Sequence, residues 1–120
     1  MIEVEKFRQI VLALPKTIEV PHFEKPSFKV AGKFFAFLNL KENRATIKLS
    51  MEEQDLFCVF DKNVMYRVPN RWGKMGWTHI NLKTIPEEMC KDALTIAYCE
   101  VAPQKLSDAI KSNFLNLPDI

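Results

Sequence analysis

The sequence predicts a two-layer α+β fold in which helices cover one face of a five-stranded antiparallel sheet. Several short segments alternate apolar with polar side chains, which is the pattern of half-buried strands. Other segments repeat apolar residues at helical spacing. Tight turns or one short helix join the predicted strands, and such short connections favour antiparallel pairing. A chain of 120 residues has the length of one domain, so a single domain is expected over residues 1–120.

The chain begins with a predicted helix over residues 4–14, "VEKFRQIVLAL". Phe7 and Val11 belong to its apolar stripe, and the proline that follows ends it. Residues 15–26, "PKTIEVPHFEKP", contain three prolines and are predicted to form an extended connector outside the sheet. His22 is expected to help fix this connector.

Three predicted strands follow the connector. Residues 27–31 alternate, with Phe28 and Val30 on one side. After a glycine turn, residues 34–40, "FFAFLNL", form a nearly continuous apolar run, which is typical of a central strand. Its phenylalanines are expected in the core: Phe34, Phe35 and Phe37. Residues 44–50 alternate again and direct three polar side chains outward: Arg44, Thr46 and Lys48.

A short helix and a fourth strand come next. Ser50 and Glu53 have the spacing of a capping box, which predicts a helix over residues 51–60. In the strand at residues 64–68, Arg67 is out of phase with its apolar neighbours, so Arg67 is expected to point away from the core.

The fifth strand, residues 77–82, places Ile80 and Leu82 toward the core. By alternation, Trp77 and His79 then project from the opposite face. A helix that starts near Glu87 and a final helix over residues 104–114 close the chain. The predicted order is α-β-β-β-α-β-β-α-α, and one face of the sheet is left to solvent.

The charge of the chain is small in total but unevenly distributed. The net charge is only +2, which excludes a strongly basic nucleic-acid-binding protein. Residues 15–83 nevertheless contain twelve basic and seven acidic residues, whereas residues 84–120 contain six acids and three lysines. Residues 62–83 contain five cations and no acid. The middle of the chain is therefore basic and its last third acidic.

The open face predicted in this way combines rings with cations. Cationic groups neutralise phosphates and aromatic rings stack with bases, so the face has the composition of a nucleic-acid platform. The loop before the fifth strand, "NRWGKMG", extends it along the rim. The candidate nucleic-acid-binding residues are Lys29, Arg44, Lys48, Arg67, Arg71, Trp72, Lys74, Trp77 and His79.

A structural role for the two tryptophans is the alternative. Burying a tryptophan removes about 150–250 Å² from water, worth roughly 4–6 kcal/mol, whereas one base stack contributes about 1–3 kcal/mol. This comparison favours packing for Trp72 and leaves both roles open for Trp77. The cations are equally typical of an ordinary solvated face, and His79 of a hydrogen-bonded surface residue.

Motifs of catalysis, metal binding and membrane insertion are not found in the sequence. There is no glycine-rich phosphate loop, no histidine pair at ligand spacing and no nucleophile elbow. A non-enzymatic protein without cofactor or metal is therefore predicted. Its three cysteines, an odd number without a C-x-x-C pair, indicate free thiols and a cytoplasmic location. The start of the chain is unlike a signal peptide, and no apolar run is long enough to cross a membrane.

Several motifs together resemble the MmcQ/YjbR family of small bacterial proteins. They are "LPKTIEVPHFEKPSFKVAGKFFAFL", "KLSMEEQ", "WGKMGWTHINL" and "AYCEVAPQKL", in that order and over nearly the whole chain. The resemblance implies a two-layer α+β fold similar in element order to the type III secretion chaperones. It also implies DNA binding and no established catalytic residue.

Three functions remain open from the sequence. The first is weak, sequence-tolerant DNA binding by the open face and the 70–78 loop. The second is a chaperone-like module that binds a protein or peptide, or a second copy of itself, through an apolar groove or edge strand. The third is binding of a small ligand between that loop and the sheet.

Overall fold

The computed structural model describes the backbone of residues 1–115 and the side chains of residues 1–111. Its helices are α1 (Val4–Leu12), α2 (Met51–Phe60), α3 (Arg71–Lys74), α4 (Glu87–Val101) and α5 (Gln104–Leu115). Its strands are β1 (Ile18–His22), β2 (Lys25–Val30), β3 (Lys33–Asn39), β4 (Arg44–Lys48), β5 (Met65–Arg67) and β6 (Trp77–Asn81).

The strands form one antiparallel sheet in the order β1-β2-β3-β4-β6-β5. This confirms the predicted α+β class with an antiparallel sheet and helices, but the predicted number of five strands is wrong. The additional strand is β1, which lies within the proline-rich segment that was expected to remain outside the sheet. It is an edge strand, where a residue without an N–H such as Pro21 is tolerated.

The inner face of the sheet and the helices enclose the core. Phe28, Ile47 and Ile80 on the sheet are fully buried, as are Phe7 on α1 and Tyr98 on α4. The Tyr98 hydroxyl donates a hydrogen bond to the carbonyl oxygen of Pro15 at 2.7 Å. This hydrogen bond between α4 and the connection from α1 to β1 satisfies the polar end of a buried ring.

A β-bulge in β3 changes which of its side chains face the core. Phe28 pairs with Ala36, and the next residue, Lys29, pairs with Phe34, so Phe35 is the extra residue. Phe35 is fully buried and its ring lies 5.7 Å from that of Tyr98. The placement of Phe34 and Phe37 in the core was wrong, because the bulge puts both half-buried rings on the outer face.

The loop between β5 and β6 is packed closely against the rest of the chain. A Cβ at Gly73 would lie 2.0 Å from the carbonyl oxygen of Val68. A Cβ at Gly76 would lie 1.9 Å from the carbonyl oxygen of Leu49, and the backbone amide of Leu49 donates to the Gly76 carbonyl at 3.0 Å. Both glycines are therefore required by close backbone approach.

Gly76→Ala is expected to destabilise the protein far more than Gly32→Ala. Both positions have positive φ, +104° and +80°, but a Cβ at Gly32 meets nothing within 4 Å. We expect about 1 kcal/mol for Gly32→Ala from the backbone conformation alone and at least about 3 kcal/mol for Gly76→Ala because of the clash. Urea denaturation of the two variants measures the difference, and equal losses would contradict the close packing described above.

Candidate nucleic-acid interface

The outer face of the sheet is crossed by a row of side chains from four neighbouring strands. The backbone pairs Phe37↔Thr46, Thr46↔His79 and His79↔Tyr66 put these four residues side by side. All four are half-buried, whereas Ala45, directly next in β4 on the inner face, is fully buried. Of residues 1–115, the helices that pack on the sheet centre do so from the inner side, so the outer face is open.

Aromatic rings form a continuous chain across this face. The ring centroids of His22 and Phe34 are 5.0 Å apart, those of Phe34 and Phe37 5.4 Å, and those of Phe37 and Trp77 5.4 Å. Phe23 extends the chain at one end, 4.5 Å from His22 in an edge-on arrangement. These distances are those of mutually stabilising aromatic pairs.

A cleft of about 320 Å³ opens on this face between the tip of the β1–β2 hairpin and α3. Its floor is formed by the sheet and its rim by the hairpin and the loop. The lining residues are His22, Phe23, Lys25, Phe37, Thr46, Val68, Trp72, Trp77 and His79. The cleft thus combines apolar rings with a small number of polar groups, as ligand sites do.

The side chain of Gln54 holds the loop at the rim of the cleft. It is fully buried, and its Nε2 donates to the carbonyl oxygens of Gly73 at 2.9 Å and Trp77 at 3.1 Å and to the Thr78 hydroxyl at 3.0 Å. The Thr78 hydroxyl in turn donates to the Gly76 carbonyl at 3.0 Å. Four residues of the loop and the start of β6 are therefore fixed by one network.

Among the residues whose side chains are described, the cations of the outer face have no acidic partner. Lys29 Nζ lies 5.6 Å from the centre of the Phe34 ring, and the Arg71 guanidinium 5.8 Å from that of Trp72. Lys48 Nζ donates to the carbonyl oxygen of Leu49 at 3.3 Å. In the part of the chain whose side chains are described, the ion pairs involve other cations: Arg8, Arg67 and Lys91.

Arg67 does not belong to this face, and its expected position there was wrong. In β5 it is Tyr66 that pairs with His79 and contacts its ring, with centroids 5.3 Å apart. Arg67 points to the opposite side and forms an ion pair with Asp55 of α2. A strand of three residues gives too little alternation to distinguish the two phases.

His79 is neutral at physiological pH. Burial lowers its pKa to about 4, and the positive charges of Arg44 and Lys25 act in the same direction. Its Nδ1 lies 2.8 Å from the Thr46 hydroxyl, within hydrogen-bond distance. His79 therefore contributes a ring and hydrogen-bonding groups to the face, and no charge.

The sequence and the fold were compared with those of known proteins. The YjbR family profile matches residues 12–100, which include every strand and every residue that lines the cleft. The chain belongs to the YjbR family. Among curated proteins no relative matches the chain.

One solved structure supports the fold of this YjbR chain. It is the crystal structure of Deinococcus radiodurans protein DR2400, which has a DUF419 domain, and the TM-score is 0.73. The alignment covers 99% of this chain and 91% of that chain at 23% sequence identity. At that identity the likeness shows a shared fold and no more.

The structure brings most of the residues predicted for nucleic-acid binding to one surface of the YjbR domain. Five lie on the outer sheet face: Lys29, Arg44, Lys48, Trp77 and His79. Three lie on α3, of which Trp72 lines the cleft: Arg71, Trp72 and Lys74. Trp72 is 47% exposed, so its expected role as a packing residue is wrong. Trp77 is half-buried and packs against Phe37 on the open side, as the alternation predicts.

Sequence reasoning missed six residues of this face: His22, Phe23, Lys25, Phe34, Phe37 and Tyr66. Three of them belong to the β1–β2 hairpin, which the prolines concealed. The sequence signal for that hairpin was weak, because its two-residue turn, Phe23 and Glu24, has none of the residues typical of such turns.

The rest of the described chain shows no arrangement typical of a metal or thiol site. No group of three His, Cys, Asp or Glu side chains among those residues is arranged to hold a metal ion. The three cysteines are free, and burial raises the pKa of the Cys90 thiol to about 12, which makes it unreactive. Within residues 1–115 no helix has the length and apolar character needed to cross a membrane.

Gln54→Leu is expected to lower the free energy of unfolding by about 1–3 kcal/mol, because it leaves buried carbonyl groups of the loop without a donor. Gln9→Leu on the exposed side of α1 is the matched control and should change stability by less than about 0.5 kcal/mol. Urea denaturation measures both. A Gln54→Leu variant as stable as the control would show that the network does not hold the loop.

His79 is expected to make the folded state less stable as the pH falls. Its folded pKa of about 4 lies below the ordinary value of 6.5, so between these values the unfolded chain binds a proton that the folded chain does not. With allowance for solvent screening, the free energy of unfolding should fall by on the order of 1 kcal/mol. Comparing urea denaturation of the wild type and His79→Gln at pH 7.5 and pH 5 isolates it. An NMR titration of the His79 ring with a midpoint near 6.5 would refute this assignment.

Proposed function

We propose that this protein binds DNA weakly and without strong sequence preference through the open sheet face, as a binding protein rather than an enzyme. The main support is that unpaired cations and solvent-accessible rings share one surface. Exposed lysines elsewhere, such as Lys6 and Lys62, form no ion pair in the described structure either, so the argument rests on the combination of cations with rings. A nucleic acid would supply phosphates to the cations and stacking bases to the rings of this surface.

The cations set the expected strength of binding. Six of them border the rings: Lys25, Lys29, Arg44, Lys48, Arg71 and Lys74. If three to five of these contact phosphates, log K should fall against log salt with a slope of about −3 to −5. Because the net charge is only +2, long-range attraction adds little, and micromolar affinity near physiological salt is expected.

The position of the cations explains why binding should tolerate different sequences. Lys29 and Arg71 lie over aromatic rings of the protein itself, Phe34 and Trp72. Contacts to phosphates position a nucleic acid without reading it. Rings such as Trp72 stack with any base, because every base has a π face.

Reversing three cations of the open face should weaken DNA binding at least tenfold. The variant is Lys29→Glu, Lys48→Glu and Lys74→Glu, and the salt slope should fall by about two to three because as many phosphate contacts are lost. The matched control reverses three exposed lysines away from the face: Lys6, Lys62 and Lys105. Both change the net charge equally. Fluorescence anisotropy with a labelled DNA at two salt concentrations is the measurement.

Two results would reject the proposal. One is the absence of DNA binding at low salt. The other is an equal loss of affinity in the open-face variant and its control, which would show that only total charge matters.

A separate observation favours the protein-interaction module as a second candidate. On α2, Leu56, Val59 and Phe60 are 75%, 82% and 71% exposed, which places three large apolar side chains in solvent on one short helix. Contiguous exposed apolar surface is typical of contacts between proteins. Association through this patch would be insensitive to salt, unlike DNA binding.

A further inference from the structure

The tip of the β1–β2 hairpin has a backbone conformation that its residues do not favour. Phe23 and Glu24 both have positive φ, 50° and 65°, in the two-residue turn between His22 and Lys25. This is the pattern of a type I′ turn, which asparagine and glycine normally occupy. A bulky residue in this region is an outlier, and such outliers concentrate at ligand sites.

The strained turn exposes an aromatic ring that contributes little to the stability of the folded protein. Phe23 is 87% exposed and lines the cleft opposite Trp72 on α3. Among the described residues its ring contacts one other ring, that of His22, in an edge-on arrangement. His22 is itself exposed. Burial of Phe23 thus does not account for the unfavourable turn, whereas a ligand in the cleft would.

The backbone of the hairpin tip is not paired with β3, although the His22 ring contacts Phe34 and Phe37. Pairing between β2 and β3 begins at Ser27↔Phe37, because the preceding residue, Pro26, has no N–H to donate. From Pro26 outward the hairpin is a two-stranded projection beside the cleft. It can approach an occupant of the cleft without breaking the β2–β3 ladder.

The floor of the cleft offers hydrogen bonds in either direction. If the Thr46 hydroxyl donates to His79 Nδ1, the proton on Nε2 is a free donor and the Thr46 oxygen a free acceptor. If Nδ1–H donates to Thr46, Nε2 becomes the acceptor and the hydroxyl the donor. Within the described residues neither side chain has another hydrogen-bond partner. The pair therefore matches a planar group whose edge has a donor next to an acceptor. Both orders of donor and acceptor along that edge fit, because the two His79 tautomers exchange the roles.

We propose that the cleft holds one unpaired nucleobase of a single-stranded nucleic acid. Phe23 and Trp72 close over it from the two sides of the rim, and the Thr46–His79 pair hydrogen-bonds to its edge. The volume of about 320 Å³ is at the lower end for ligand sites, which suits one planar ring system. Unpaired cations on the surrounding face then contact the flanking phosphates. The inference rests on the proposed DNA binding and specifies the strand and the contact.

The test compares two labelled single strands of equal length, one of thymidines and one with the same backbone and no bases. Because their charges match, any difference in affinity reports on base contacts. We expect the wild type to bind the thymidine strand roughly tenfold more tightly, as one or two base stacks would give.

Phe23→Ala should abolish this difference and leave affinity for the strand without bases unchanged. Phe60→Ala, which removes a similarly exposed ring from α2, is the control and should alter neither. Thr46→Val, close in shape to threonine, should reduce the difference through the lost hydroxyl. Thermal denaturation verifies that each variant is folded.

The outcomes separate the two proposals. Equal affinity of the wild type for both strands would overturn the base site and leave DNA binding through phosphates intact. A difference that persists in Phe23→Ala, or disappears equally in Phe60→Ala, would also overturn it. Failure to bind either strand at low salt would overturn the DNA-binding proposal together with the base site.

Discussion

One buried amide determines whether the candidate site exists in its observed form. Gln54 lies one turn into α2, whose start is fixed by the capping box of Ser50 and Glu53, with bonds of 3.2 Å and 3.1 Å. From there its Nε2 reaches the loop that positions Trp72 and the start of β6 that positions Trp77. A local sequence signal on one layer of the protein thus sets the geometry of a surface on the other layer.

The open face shows how a sheet can expose rings and cations together. Each ring is partly covered by the next, and of the rings on this face only His22, Phe23 and Trp72 are exposed. Lys29 and Arg71 lie against ring faces and so partly shield them from water. Keeping His79 neutral avoids one more positive charge beside Arg44 and Lys25. The surface remains compatible with a folded chain while it stays available to a ligand.

The sequence predicted this surface well where alternation was long and regular. In β4 and β6, five residues of period two sufficed to place Trp77 and His79 outward beside Lys48 and Arg44. Prediction failed where the period was short or broken. β5 has only three residues, β3 contains a bulge, and the prolines of β1 disguised an edge strand. A ligand site between the 70–78 loop and the sheet was among the possibilities, but its other wall was missed, since that wall is the hairpin that β1 completes.

The bulge at Phe35 adds a side chain to the core without changing which rings of β3 face outward. Phe34 and Phe37 face outward although they are three positions apart, and the extra residue between them adds a ring to the core against Tyr98. Without that residue the two outer rings would be two positions apart and would still share a side. A relative shorter by one residue at this point would therefore keep the same exposed rings over a less filled interior. An alignment gap there is consequently no sign of an altered surface.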